Sequence, residues 1–198
     1  MDDFRDRVAV ITGGGGGIGA ALAAAFAARG ARIVLADLDE AAMARVADRM
    51  TAGGASVLAV PTDVTHLASV RALAEAAERR FGAVHVVCNN AGVGTFGQLA
   101  TATHADWEYT MRVNFWGVVH GLEIFVPRLI AQGAGGHVVN TASMAGLVGS
   151  TIAPEEVARR VLRGIERKDL YIFTHREQQE ILRRRAARQD AMFKPDVW

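Results

Sequence analysis

Residues 12–19 read TGGGGGIG, between the apolar run Val8, Ala9, Val10, Ile11 and the alanine-rich stretch Ala20 to Arg29. Strand, glycine turn, helix is the order needed to hold a pyrophosphate: without side chains, backbone N–H groups reach phosphate oxygens and the following helix points its positive end at them. A flexible linker is the plainer use of glycine, but linkers are not clamped between an apolar strand and a helix. Two registers fit. Gly14, Gly16 and Gly19 satisfy G-x-G-x-x-G, whereas Thr12, Gly13, Gly17 and Gly19 satisfy the more specific T-G-x-x-x-G-x-G. Asp37 stands 18 residues after Gly19, at the end of the next apolar run, where a carboxylate accepts both ribose hydroxyls of an adenosine. That favours NAD over NADP, because Asp37 repels a 2′-phosphate and no Arg or Lys stands in the turn or directly after Asp37. Capping the next helix is the plainer role for Asp37.

These residues need a scaffold, and the hydrophobic pattern supplies one. Strands are expected at Val8–Ile11, Arg32–Ala36, Ser56–Val60, Val84–Cys88, His137–Thr141 and Leu170–Thr174. Helices are expected at Ala20–Arg29, Glu40–Met50, Leu67–Arg80, Thr103–Ala131 (kinked by Pro127) and Pro154–Arg167, with a further one in the tail from Glu177 to Gln189. Alternation of this kind predicts an α/β fold, a Rossmann-like doubly wound parallel sheet of strand order 3-2-1-4-5-6 with right-handed crossovers. A single Rossmann-type domain over 1–175 and a helical tail over 176–198 follow. The ligand crevice belongs outside the carboxyl ends of strands one and four, where the winding reverses.

Composition narrows the class. The 198 residues are 51% hydrophobic with a net charge of +1, enough for one core and without the basic excess expected of a nucleic-acid or anionic-membrane binder. The Arg183, Arg184, Arg185, Arg188 cluster is interleaved with Glu180 and Asp190 and reads as a solvated helix face. The single Cys88 lies in an apolar run and reads as a buried thiol. The acidic N-terminus lacks a signal-peptide pattern and no run reaches a membrane span, so a cytoplasmic protein is expected. The six histidines lack metal-ligand spacing, and no metal is expected. Trp107, Phe115 and Trp116 read as core or interface packing.

Asp63 and Val64 follow strand three, Asn90, Ala91 and Gly92 follow strand four, Asn114 lies in the long helix and Ser143 follows strand five. With the Thr12 register, this series closely resembles the short-chain dehydrogenase/reductase family over roughly residues 5 to 150. The resemblance implies that Gly13, Gly17, Ile18 and Gly19 cradle the pyrophosphate, that Asp37 binds the adenine ribose, and that Asp63 with Val64 flanks the adenine. It implies that Asn90, Ala91 and Gly92 support the nicotinamide side. Ser143 would hydrogen-bond the substrate oxygen, and Asn114 would hold a water in a proton relay. Ser143 as a turn residue and Asn114 as an amide satisfied by backbone are the plainer alternatives.

One departure bears on activity. The family's acid/base pair is a tyrosine with a lysine four residues later, and no Y-x-x-x-K occurs: Val113 and His175 follow Tyr109 and Tyr171 at that spacing. Carbonyl reduction needs a proton donor beside the developing alkoxide, and a neighbouring lysine brings a tyrosine into range. Tyr171 reads as strand packing. The expected function is an NAD-dependent oxidoreductase acting on a small secondary alcohol or ketone, shortened relative to the family; a non-catalytic NAD-binding module and an inactive truncated member are the alternatives. Family members commonly pair through the long helix, so a homo-oligomer is expected.

Overall fold

A computed structural model describes residues 3–94, 101–143, 152–172, 174, 179–180, 183–184 and 187. Five strands alternate with helices: β1 (Val8–Thr12), α1 (Gly17–Ala27), β2 (Arg32–Asp37), α2 (Glu40–Ala52), β3 (Val57–Pro61), α3 (Leu67–Phe81), β4 (Val86–Asn89), α4 (His104–Met111), α5 (Gly117–Ala131), β5 (His137–Asn140) and α6 (Pro154–Arg167). All pairings are parallel and the order is β3-β2-β1-β4-β5. The winding therefore reverses between β1 and β4, as the sequence predicts. The period of two along each strand divides the core. Ala9, Ile11, Ile33, Leu35, Val86 and Cys88 face α1 and α6, where Leu22, Phe26 and Leu162 are buried. Val8, Val10, Val34 and Val87 face α3 and α5, against Leu73, Ile124 and Phe125. Cys88 is fully buried, and burial pushes its thiol up to about 12, so it is inert near neutral pH.

Three expectations change. The helix expected over Thr103–Ala131 begins as predicted, with a Thr103–Asp106 capping box, but Arg112–Trp116 between α4 and α5 is a π-helical turn. Residues 170–172 form no strand: Leu170 and Tyr171 are 86% and 74% exposed. Ile172 instead folds onto α6, where a Cβ at Gly164 would lie 2.4 Å from its Cγ1. Arg160 of α6 donates to the Thr174 carbonyl. Tyr171 is thus not strand packing, and β5 is the last strand of the sheet among the described residues. Trp107, Phe115 and Trp116 are about half exposed and outside the core, which leaves only the interface half of their expected packing role. Most of the tail over 176–198 lies outside the described residues.

The switch point is held by side chains, because β1 and β4 are distant in sequence. The buried Thr12 Oγ1 donates to the Cys88 carbonyl at 3.3 Å and accepts from Asn90 N–H at 2.9 Å and Ala91 N–H at 3.0 Å. Asn90 Nδ2 donates back to the Thr12 carbonyl at 3.1 Å, and Asn90 Oδ1 accepts from Thr141 Oγ1 at 3.2 Å. Thr12→Val keeps the shape and leaves the two N–H groups without their acceptor. It is expected to destabilise the fold by about 2 kcal/mol in urea unfolding, whereas Thr12→Ser stays within about 1 kcal/mol. Equal losses in the two variants would remove the hydroxyl from this role.

At the opposite end of the sheet, Val8 N–H donates to His85 Nδ1 at 3.1 Å, which requires that nitrogen to be unprotonated. Burial, helped by Arg7 and Arg32, holds the imidazole below its ordinary value of 6.5, and burial does the same to His137. The unfolded chain takes up these protons first. Their contribution is therefore fully present above 6.5 and is lost as the pH falls below it. Urea midpoints are expected to drop between about pH 7.5 and about pH 5.5. His85→Asn, whose Oδ1 accepts the same N–H without titrating, is expected to drop less; an equal drop would contradict the assignment.

Candidate functional site

Every strand sends its carboxyl end to one cleft of about 440 Å³. The glycine turn enters from β1, Asp37 and Leu38 from β2, Thr62 to Val64 from β3, Asn90 to Val93 from β4 and Thr141 from β5, with Tyr109 and Val113 closing one side. Gly13, Gly17, Ile18, Asp37, Asp63, Val64, Asn90, Ala91 and Gly92 all line it, so nine of the ten expected cofactor residues converge on one wall.

The tenth, Gly19, lies just behind that wall. A Cβ there would sit 2.0 Å from the Gly13 carbonyl oxygen, so α1 can cross the turn only without a side chain. Gly13 has φ +68 and its Cβ would lie 2.9 Å from Ala91 Cα. Gly14 and Gly15 are crowded as well, against Leu35 and Asp37, but Gly16, which G-x-G-x-x-G requires, has nothing within 4 Å of a Cβ, whereas Gly13, Gly17 (φ +50) and Gly19 are each constrained; this favours the register begun by Thr12. Gly16 and Gly17 have open space where a side chain would project, and no side chain caps the first turn of α1. Open space at a helix N-terminus that lacks a side-chain cap fits a pyrophosphate.

Asp37 is half-buried. Its Oδ2 accepts from Gly15 N–H at 2.8 Å and its Oδ1 from Asp39 N–H at 3.0 Å. A carboxylate has about four acceptor directions, so two stay available for a ribose diol. The helix-capping role belongs to its neighbour: Asp39 Oδ1 accepts from Ala42 N–H at 2.8 Å and caps α2. Among the described residues, no Lys or Arg lines the cleft. Asp63 is held below the usual carboxylate range: burial pushes it up, and hydrogen bonds from Thr65 Oγ1 and N–H, with His66 beside it, outweigh that.

Around Asn114 and Ser143 the picture differs. Asn114 Oδ1 accepts from Val93 N–H at 2.8 Å and Nδ2 donates to the Val93 carbonyl at 2.8 Å. Its carboxamide is a clasp on the strand-four loop, the backbone-satisfied alternative. Val113, not Asn114, reaches the cleft wall. Ser143 is exposed, two residues past the cleft-lining Thr141; residues 144–151 lie outside the described residues. Tyr109, Val113 and Thr141 were not expected as lining. Tyr109 and Val113 are four residues apart on one helical face, a signal present in the sequence once one of them is placed.

Comparison with known proteins agrees with this geometry. A family model described as short chain dehydrogenase matches residues 7–155. The 1-deoxy-11-beta-hydroxypentalenate dehydrogenase of Streptomyces exfoliatus is 44% identical over 147 residues, 73% of this chain and 54% of that protein. A short chain dehydrogenase/reductase of Burkholderia phymatum, solved in complex with NAD, is 43% identical with a TM-score of 0.72, covering 85% of this chain and 60% of that one. The apo form of LigD from Sphingobium sp. strain SYK-6 is 28% identical with a TM-score of 0.91, covering 98% of this chain and 100% of that one. The chain spans about half the length of the curated relatives it matches. With its glycine turn, its sheet and its sequence in agreement, the chain belongs to the short-chain dehydrogenase/reductase family.

Proposed function

We propose that the cleft holds NAD and that the chain serves oxidoreductase chemistry of the short-chain type, hydride transfer between nicotinamide and a small secondary alcohol or ketone. The observation that carries this reading is the cleft wall, which joins an open, side-chain-free helix N-terminus to the Asp37 carboxylate and, among the described residues, contains no Lys or Arg. A pyrophosphate finds N–H donors at the first, a ribose diol finds an acceptor at the second, and a 2′-phosphate finds only repulsion. The NAD complex of the Burkholderia phymatum relative supports the same assignment. When bound, the nicotinamide supplies the hydride exchange.

The residues then divide the work. Gly13, Gly17, Ile18 and Gly19 bind the pyrophosphate, Asp37 the ribose, and Asp63 with Val64 the adenine. Asn90, Ala91 and Gly92 support the nicotinamide side, and Ser143 orients the substrate oxygen. Asn114 keeps the loop at Val93 in place and, through the π turn, shapes the helix beside it. A proton must also reach or leave that oxygen, and a serine is a poor acid. The absence of any Tyr-x-x-x-Lys favours a second reading, a module that holds NAD without turning it over. The proposal carries with it a cytoplasmic setting and self-association.

Calorimetric titration separates the possibilities. NAD is expected to bind at least about tenfold more tightly than NADP, a difference of about 1.4 kcal/mol, and Asp37→Ala is expected to narrow that ratio to within about threefold. An unchanged ratio would remove Asp37 from cofactor choice, and no binding of NAD would overturn both readings. Turnover of secondary alcohols by the chain would favour the enzyme; binding without turnover would favour the module.

A further inference from the structure

We infer that His120 is a positioning residue for the adenosine end of the cleft, holding the 62–66 loop that presents Asp63 and Val64; this rests on the dinucleotide reading above. His120 belongs to α5, and its Nδ1 lies 2.8 Å from the Val64 carbonyl oxygen. A carbonyl oxygen only accepts, so Nδ1 carries the hydrogen and donates it. The Trp116 ring, 6.3 Å away between centroids and tilted by 34°, lies alongside the imidazole.

The loop is seated directly on this helix. A Cβ at Gly117 would lie 2.8 Å from Val64 Cγ2 and 3.1 Å from its Cβ, so only glycine lets Val64 come so close. Val64 is 7% exposed. The flanks of the loop are tied elsewhere: Thr62 N–H donates to the Asp37 carbonyl at 2.9 Å, and Asp63 N–H donates to Ser69 Oγ at 3.0 Å. Among the described residues the apex carbonyl of Val64 has His120 as its one hydrogen-bond donor.

This matters because the Val64 N–H has no partner among the described residues, and Asp63 and Val64 both line the cleft. A peptide donor next to a carboxylate acceptor matches the edge of adenine, whose N1 accepts and whose amino group donates. Gripping the carbonyl restricts rotation at Val64, on which the direction of the preceding N–H depends. His120 thus acts on the nucleobase through the backbone of another element.

The test uses AMP and NAD as calorimetric probes on the full chain with His120→Leu, His120→Gln and His120→Asn. Asn places an amide donor where Nδ1 stood, whereas Gln places it one bond further out. His120→Leu and His120→Gln are expected to weaken both ligands about five- to tenfold, with His120→Asn within about twofold of the parent. Unfolding midpoints are measured alongside; if His120→Leu does not fold, the Gln and Asn pair carries the comparison. Equal AMP affinity in His120→Gln and His120→Asn would overturn the inference while leaving the dinucleotide reading intact. Failure of the parent chain to bind either ligand would overturn that reading and this inference with it.

Discussion

The hydroxyl of Thr12 joins two strands that no local interaction can join. β1 and β4 are neighbours in the sheet, yet Thr12 and Asn90 are separated by 78 residues of chain, and the ladder between the strands ends just where their loops diverge. One oxygen that donates to β4 and accepts from two successive N–H groups beyond it holds the glycine turn against the Asn90 loop. The linkage continues outward. Asn90 receives the Thr141 hydroxyl from β5, and the Asn114 clasp on Val93 brings the π turn to the same loop. The cleft is therefore a consequence of a hydrogen-bonded series that starts in β1 and ends on the long helical segment.

That series leaves the two ends of the site unequal. At the end proposed for adenosine each loop is held on several sides: Asp37 by Gly15 and Asp39, the 62–66 loop by β2, α3 and α5. Such redundancy fixes loop geometry before any ligand arrives, which lowers the ordering cost of binding. Beyond β5, Ser143 stands exposed, and no tyrosine in the chain has a lysine four residues on. The loops held on several sides stand at strand ends and at the first helix, whereas Ser143 lies beyond β5.

Much of this was legible in the sequence, for reasons that differ by element. Alternating apolar runs and helical stretches are local signals, and the rules of parallel crossovers convert them into a strand order. The glycine turn and Asp37 were readable because each answers a steric or electrostatic demand within its own βαβ unit. The π turn was not readable, since Arg112 to Trp116 look like ordinary helix, and the Asn114–Val93 clasp within it is a contact across 21 residues. Residues 170–174 read as a strand by composition, yet Ile172 packs against Gly164 of α6. His120 looked like any helical histidine, because its partner is a backbone carbonyl 56 residues away.

The central claim is that the loops after β1, β3 and β4 form one site for one dinucleotide. Amide hydrogen exchange on the full chain, with and without NAD, tests it most directly. The account predicts slowed exchange in residues 12–19, 62–66 and 90–93 together, at the same NAD concentration, with the far ends of the strands unaffected. Protection of only one of these segments, or a uniform change across the chain, would contradict it.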